Sequence, residues 1–230
     1  MAAKKPRETS RRKLTQTEKA YDAIKDAIVR GRIAEGEFLV ESDITRSFGI
    51  GRTPYREACN RLHHEGLLEV VPRRGYLVPE MSFLKVRDLF EARLVLEGAI
   101  AELAAVRASQ ADVEELERLA ATPAPARQTT PDFDRSIRAN TLFHLQLARM
   151  TQNRELVEML TAILERTERL MYIELRSARM QSSVSVHEPV VAAIRRRDPE
   201  AARKAVLQDI RVAQSVTLGD VGQTPVTPPG

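Results

Sequence analysis

The chain lacks three things that would each decide its class. Cysteine occurs once, at Cys59, among 230 residues, which excludes an internal disulfide framework and fits a reducing compartment. No apolar run approaches the roughly 18 residues needed to cross a bilayer; the most apolar stretch, Leu94 to Val106, is broken by Glu97 and Glu102. Aromatic residues make up 4% of the chain, too few for the stacking platforms with which sequence-neutral proteins hold single strands. The basic N-terminus is followed by no apolar segment and no small-residue cleavage site, so it does not read as a secretory signal. Together these absences lead to the expectation of a cytoplasmic protein that makes no use of a membrane. The 43% hydrophobic content suffices for a buried core.

What is present is unevenly distributed. Residues 1–80 carry 16 Lys and Arg against 12 Asp and Glu, whereas residues 81–230 carry 20 of each, so the whole excess of +4 lies in the N-terminal third. A polyanion is the expected partner of that third. Lys4, Lys5, Arg7, Arg11, Arg12 and Lys13, opposed only by Glu8, form a basic tail expected to be disordered over residues 1–14.

Thr15-x-x-Glu18 is a capping box that opens a first helix with apolar positions Tyr21, Ile24, Ala27 and Ile28, and Gly31 stops it. A loop containing Gly36 leads to a short second helix near Glu41–Ser47. Gly49 then turns the chain into a third helix from about Arg52. Two short helices joined by a glycine turn predict a helix-turn-helix. The third helix stacks Tyr55, Ala58, Cys59 and Leu62 on one side and leaves Arg52, Arg56 and Asn60 on another. After Gly66 come two β-prone runs, Leu67–Val71 and Tyr76–Val78, around the turn Pro72-Arg73-Arg74-Gly75, which predicts a hairpin with arginines at its tip.

From Leu84 to Ser215 the pattern is helical, interrupted by an Ala/Pro/Thr-rich loop at Thr122–Pro131 and a polar turn at Thr151–Asn153. The fold expected is mainly α: a winged helix-turn-helix over residues 15–80, then an antiparallel bundle of about six helices over 81–217. A disordered tail is expected over 218–230.

An arginine can donate two parallel hydrogen bonds to guanine O6 and N7, and the major groove admits one helix. Arg52 and Arg56 therefore have the chemistry and spacing of base readers. Thr53 sits at the helix start, where free backbone N–H groups attract phosphate, and Arg73 and Arg74 are placed to reach an adjacent groove or backbone. His63 and His64 end the reading helix, where a capping or phosphate-adjacent role is favoured over metal binding.

These residues resemble a known family. Gly31-x-Ile33-x-x-Gly36, Leu39-x-Glu41, Phe48-Gly49-Ile50-x-Arg52-Thr53-Pro54-x-Arg56-Glu57-Ala58, Arg61-Leu62, Glu65-Gly66-Leu67-Leu68 and Arg73-Arg74-Gly75-Tyr76 resemble the winged helix of the GntR superfamily. The resemblance implies that Arg52, Thr53, Arg56, Arg74 and Gly75 contact DNA. Two positions depart from the pattern: Gly51, where the family usually has Ser or Thr as N-cap, and Ser42, where relatives often have arginine.

In the helical region, His144 follows Asn140 by four residues on one helix face, His187 begins a later helix and Asp209 lies in the last. Such donors on three helices can converge in a bundle core as a metal site. The runs Asp88-Leu89-Phe90-Glu91-Ala92-Arg93 with Leu96-Glu97, Asn140-x-x-Phe143-His144, and His187 with Ile194, Asp198 and Ala201-Ala202 resemble the FCD domain of FadR-like GntR regulators. In that family an Asp or Asn and three histidines hold a divalent metal beside a small carboxylate effector. The resemblance thus implies a zinc, nickel or manganese type of ion on Asn140, His144 and His187, with Asp209 standing where the third histidine is expected. Arg93 either clamps an effector carboxylate or forms a surface salt bridge with Glu97.

The function expected is a DNA-binding regulator, a repressor by preference, acting as a homodimer on a pseudo-palindromic operator and controlled by an effector bound through Arg93, Asn140, His144 and His187. The rivals are a metal-dependent enzyme built on His144, His187 and Asp209 as a facial triad, and a sequence-neutral nucleic-acid binder.

Overall fold

The computed structural model describes residues 14–121, 130–176 and 187–221. Two compact units divide the chain, one comprising the residues up to Ile28 and Arg32–Pro79, the other Val29–Gly31 and Glu80 onward.

The first unit is built from α1 (Gln16–Val29), β1 (Phe38–Leu39), α2 (Glu41–Phe48), α3 (Arg52–His64), β2 (Glu69–Val71) and β3 (Gly75–Leu77). The capping box forms as expected: Thr15 Oγ1 accepts the Glu18 N–H at 3.1 Å and the Glu18 carboxylate accepts the Thr15 N–H at 2.7 Å. Gly49 ends α2 with φ 63°, its N–H on the Thr45 carbonyl, and this left-handed turn frees the chain to start α3 at a new angle. Ala20, Ile24 and Ile28 of α1 meet Tyr55, Ala58, Cys59 and Leu62 of α3 in one core, closed by Leu39, Leu67, Leu68 and Val78.

The three strands are antiparallel in the order β1-β3-β2. Val70 faces Tyr76 across the expected hairpin, and Phe38 and Leu39 pair with Leu77 and Tyr76 on its other side. The strand β1 was expected to be loop. With two residues it has no alternation to read, and only the free edge of β3 makes it a strand.

The second unit comprises α4 (Phe83–Arg107), α5 (Gln110–Ala120), α6 (Thr130–Met150), α7 (Arg154–Arg176), α8 (Glu188–Arg195) and α9 (Pro199–Val221), six helices among the described residues, as expected. α4 runs through the core, burying Phe90, Ile100, Ala101 and Ala104, and packs most extensively on α9. Short polar turns set the reversals. Ser109 and Asp112 form a capping box that starts α5. The expected turn at Thr151–Asn153 precedes α7, with Asn153 Oδ1 accepting the Glu155 N–H at 3.0 Å.

Two expectations are corrected. α6 starts at Thr130, inside the loop expected at Thr122–Pro131, while residues 122–129 lie outside the described residues. α9 continues to Val221, past the boundary expected at 217. Thr217 is buried and Leu218 packs on the core, so tertiary contact carries the helix beyond the point where composition turns polar. The expected basic tail, apart from Leu14, and residues 222–230 also lie outside the described residues.

Gly51 is the N-cap of α3 with φ −76° and ψ 164°, a conformation open to any residue, and a Cβ there would meet Pro54 at an ordinary 3.5 Å. Gly51→Ser should therefore stabilise the protein by a few tenths of a kcal/mol in urea unfolding, through a side-chain cap that glycine cannot make. A loss of stability would contradict this description of the turn.

Candidate functional site

Each unit carries one constellation of functional groups. In the first, burial of Tyr55, Ala58, Cys59 and Leu62 fixes the rotation of α3 and turns the opposite face outward. Arg52 and Arg56 stand on that face with side chains 84% and 69% exposed. Thr53 and Asn60 are exposed beside them. The first α3 backbone bond runs from the Tyr55 N–H to the Gly51 carbonyl, so the Arg52 and Thr53 N–H groups are left over at the positive end of the helix.

The hairpin tip is a turn closed by the Arg74 N–H on the Val71 carbonyl at 3.0 Å, with Pro72 and Arg73 at its centre. Arg73 takes φ 64°, the left-handed value that usually calls for glycine at this point of such a turn. Gly75 follows at φ 97°. The Arg74 guanidinium lies over the Phe38 ring at 4.0 Å, so the unexpected strand β1 supports one of the expected DNA contacts. His63 has a structural partner: its Nδ1 lies 3.0 Å from the Leu68 carbonyl oxygen, tying the helix end to the chain that enters the hairpin.

The glutamate at position 41 belongs to the sequence pattern but drew no role from it. Its carboxylate lies by both Arg52 and Arg56, with Arg56 Nε at 2.8 Å and Arg52 Nε at 3.6 Å. Spacing along the chain gives no signal for a contact between two helices.

The second constellation is buried. Arg93 and Glu97, one turn apart on α4, are each 1% exposed and joined Nε to Oε1 at 2.7 Å. The expected surface salt bridge is thus an internal one. Positions 90, 93, 97, 100 and 104 share the inward face of α4, a periodicity that places both charges in the core. Glu97 Oε2 lies 2.5 Å from His144 Nδ1, both atoms buried. Burial alone would raise the Glu97 carboxyl, but the Arg93 guanidinium and then the His144 ring outweigh it and hold it at about 2.

His144 on α6, His187 at the start of α8 and Asp209 on α9 offer ligand atoms that all lie within 4.8 Å of one another. Asp209 Oδ2 is 3.5 Å from His144 Nε2 and 3.9 Å from His187 Nε2. The His187 ring stacks on Phe143 with centroids 3.8 Å apart and planes 6° from parallel, which fixes its orientation. His187 Nε2 is buried with no hydrogen-bond partner among the described residues. Burial, offset in part by His144 and Arg93, raises Asp209. Asn140 is half-buried one turn before His144 on α6. Between α8 and α9 runs a mainly apolar groove of about 640 Å³, lined by Ala192, Ala193, Ala205 and Val212 and also by Lys204 and Asp209.

Burial, and then repulsion from His144, lowers His187 from 6.5 to about 3. The unfolded chain therefore takes up a proton on this group from pH 6.5 downward while the folded chain does not. His187 favours the fold fully above about 6.5 and progressively less toward 3. In metal-free protein, His187→Asn should lose less stability than wild type between about pH 7 and 5, read from urea midpoints; Asp209 acts in the opposite sense but is common to both. Parallel losses in the two proteins would remove this assignment.

Among known proteins, residues 16–78 match the model "Bacterial regulatory proteins, gntR family" and residues 88–212 match the FCD domain. The chain is 31% identical over 206 residues to the Uxu operon regulator of Haemophilus influenzae, covering 81% of this chain and 76% of that one. It is 26% identical over 212 residues to the HTH-type transcriptional repressor GlaR of Escherichia coli, covering 87% and 96%. Its fold is similar to that of McbR/YncC of Escherichia coli, with a TM-score of 0.77 at 21% identity over 90% of this chain and 99% of the other. A GntR regulator from Rhodococcus sp. RHA1 is similar at 0.72 and 22%, with the same coverage. No helix among the described residues is long and apolar enough to cross a membrane. Family and relatives alike are regulators and not enzymes, and the chain belongs to the gntR family of bacterial transcriptional regulators, with a DNA-binding winged helix followed by an FCD effector-binding domain.

Proposed function

We propose that this regulator is a cytoplasmic repressor that binds a pseudo-palindromic operator as a homodimer and answers to a small carboxylate held in the helical unit. The observation that carries the DNA-binding part is the outward pair Arg52 and Arg56, one turn apart on a helix whose other face is locked in a core. In this reading the two guanidiniums meet guanine edges in the major groove and Asn60 extends the same face. Thr53 and the free N–H groups of α3 hold phosphate, and Arg73, Arg74 and Gly75 engage the neighbouring groove or backbone. One winged helix covers one half-site, which is the argument for two copies.

The buried constellation suits a divalent ion of the zinc, nickel or manganese type. His144, His187 and Asp209 would hold it with Asn140 as a fourth, weaker donor, and the orphaned His187 Nε2 is the observation that supports this. Bound there, the ion would supply a positive centre for an effector carboxylate. Arg93 has a second reason to favour an anion, because its Nη1 is buried without a hydrogen-bond partner among the described residues. The groove beside Asp209 has room for a small organic acid. Effector binding that favours one arrangement of the two winged helices changes operator affinity by the same factor as operator binding changes effector affinity.

Arg56→Ala should cost roughly 1–3 kcal/mol at the cognate operator and relax base preference, measured by competition between duplexes. Equal weakening on every sequence would make Arg56 a phosphate contact. His144→Ala and His187→Ala should keep operator binding while zinc affinity, followed by calorimetry, falls by roughly tenfold or more. Unchanged zinc titrations in both would remove the ion from the proposed function.

A further inference from the structure

Glu41 opens α2, and its carboxylate takes hold of α3 at two places. Oε2 accepts from Arg56 Nε at 2.8 Å, and Oε1 lies 3.5 Å from Arg56 Nη2 and 3.6 Å from Arg52 Nε. The shortest contact to each arginine is thus made on the Nε side. Two parallel donors of a guanidinium match guanine O6 and N7; a carboxylate on the Nε and Nη2 side leaves the end of the group, Nη1 with the second Nη2 hydrogen, open for such a pair. The carboxylate is the less exposed partner at 29%, beneath arginines exposed at 84% and 69%. The spacing of the two helices is held as well, because the buried Tyr55 hydroxyl of α3 donates to the Leu39 carbonyl at 2.8 Å, two residues before Glu41.

We propose that Glu41 is a specificity-determining positioning residue for duplex DNA. It holds the Arg56 guanidinium by its Nε and Nη2 side and keeps Arg52 Nε at ion-pair distance, so that the free ends of both guanidiniums face outward together, and its charge subtracts from the sequence-independent pull of the same face on phosphate. A free arginine serves any phosphate as readily as a base edge. Held from beneath by a carboxylate, it has already given up the rotamer freedom that a bidentate pair demands. A phosphate that displaces the pair meets the like charge of Glu41, whereas the neutral O6 and N7 edge of guanine does not. This rests on the reading of Arg52 and Arg56 as base contacts. Asp43 lies in the same first turn of α2 and shares with Glu41 its charge and its position at the positive helix end. It therefore separates a positioning role from a general effect of charge or helix stability.

The test uses the full chain and a random duplex library of about 30 base pairs, from which wild type selects an enriched sequence. Affinities for that duplex and for its scrambled counterpart are then measured by fluorescence anisotropy at about 0.15 M salt. In Glu41→Gln the ratio of the two affinities falls by roughly tenfold, with binding to the scrambled duplex rising severalfold; Asp43→Asn keeps the ratio within about twofold of wild type. Glu41→Ala removes the same carboxylate and gives the same fall, and thermal melting verifies that each variant is folded. A ratio unchanged in both Glu41 variants, or lowered equally by Asp43→Asn, overturns the proposal while leaving the base contacts standing. A wild type that enriches no sequence overturns both.

Discussion

A helix that must read another molecule has to be prevented from rolling. In α3 this is done by four side chains, Tyr55, Ala58, Cys59 and Leu62, none more than 2% exposed, against Ala20, Ile24 and Ile28 of α1. Rolling α3 by one residue's worth of arc would carry a charged side chain into that core and bring Leu62 to water, a change of several kcal/mol in each direction. The outward aim of Arg52 and Arg56, the backbone donors at the helix start and the reach of Glu41 from α2 all follow from that one restriction. Function here is presented by the surface but set from the interior.

In the helical unit the same logic is inverted, since charges occupy the interior. Arg93 neutralises Glu97 within a single helix, at a geometry that offsets much of the cost of burying both. Asp209 has no such partner among the described side chains of its own helix and is pushed upward by burial, toward the protonated form. The two carboxylates flank His144 from opposite sides, one near each ring nitrogen. An ionised carboxylate secured by a cation and a second that burial leaves wanting positive charge form an asymmetric pair, and the proposed ion addresses the second.

How much of this could be read from the chain depended on whether a feature was local. The capping box at Thr15, the turn at Gly49, the inward face of α3 and the hairpin around Pro72 are set by neighbours within about seven positions, and spacing reveals them. The inward placement of Arg93 and Glu97 was also recorded in spacing, but their charge argued for the surface. Burial won because each supplies the other's counter-charge. Strand β1, the contact of Glu41 with two arginines and the continuation of α9 through Leu218 arise from partners far away in sequence. No periodicity carries them. The convergence of His144, His187 and Asp209 is likewise long-range, and it became legible only because residue types that share one chemistry were scarce enough to be grouped.

The position of the single cysteine has a practical corollary. Cys59 sits at zero exposure in the core of the winged helix, and burial pushes its thiol up to about 12. Near neutrality it is neither a nucleophile nor accessible to oxidants and alkylating reagents. The natural chain thus behaves toward maleimide as though it were cysteine-free, and a thiol introduced at an exposed position such as Arg73 would take up a fluorophore or spin label there with no background to subtract.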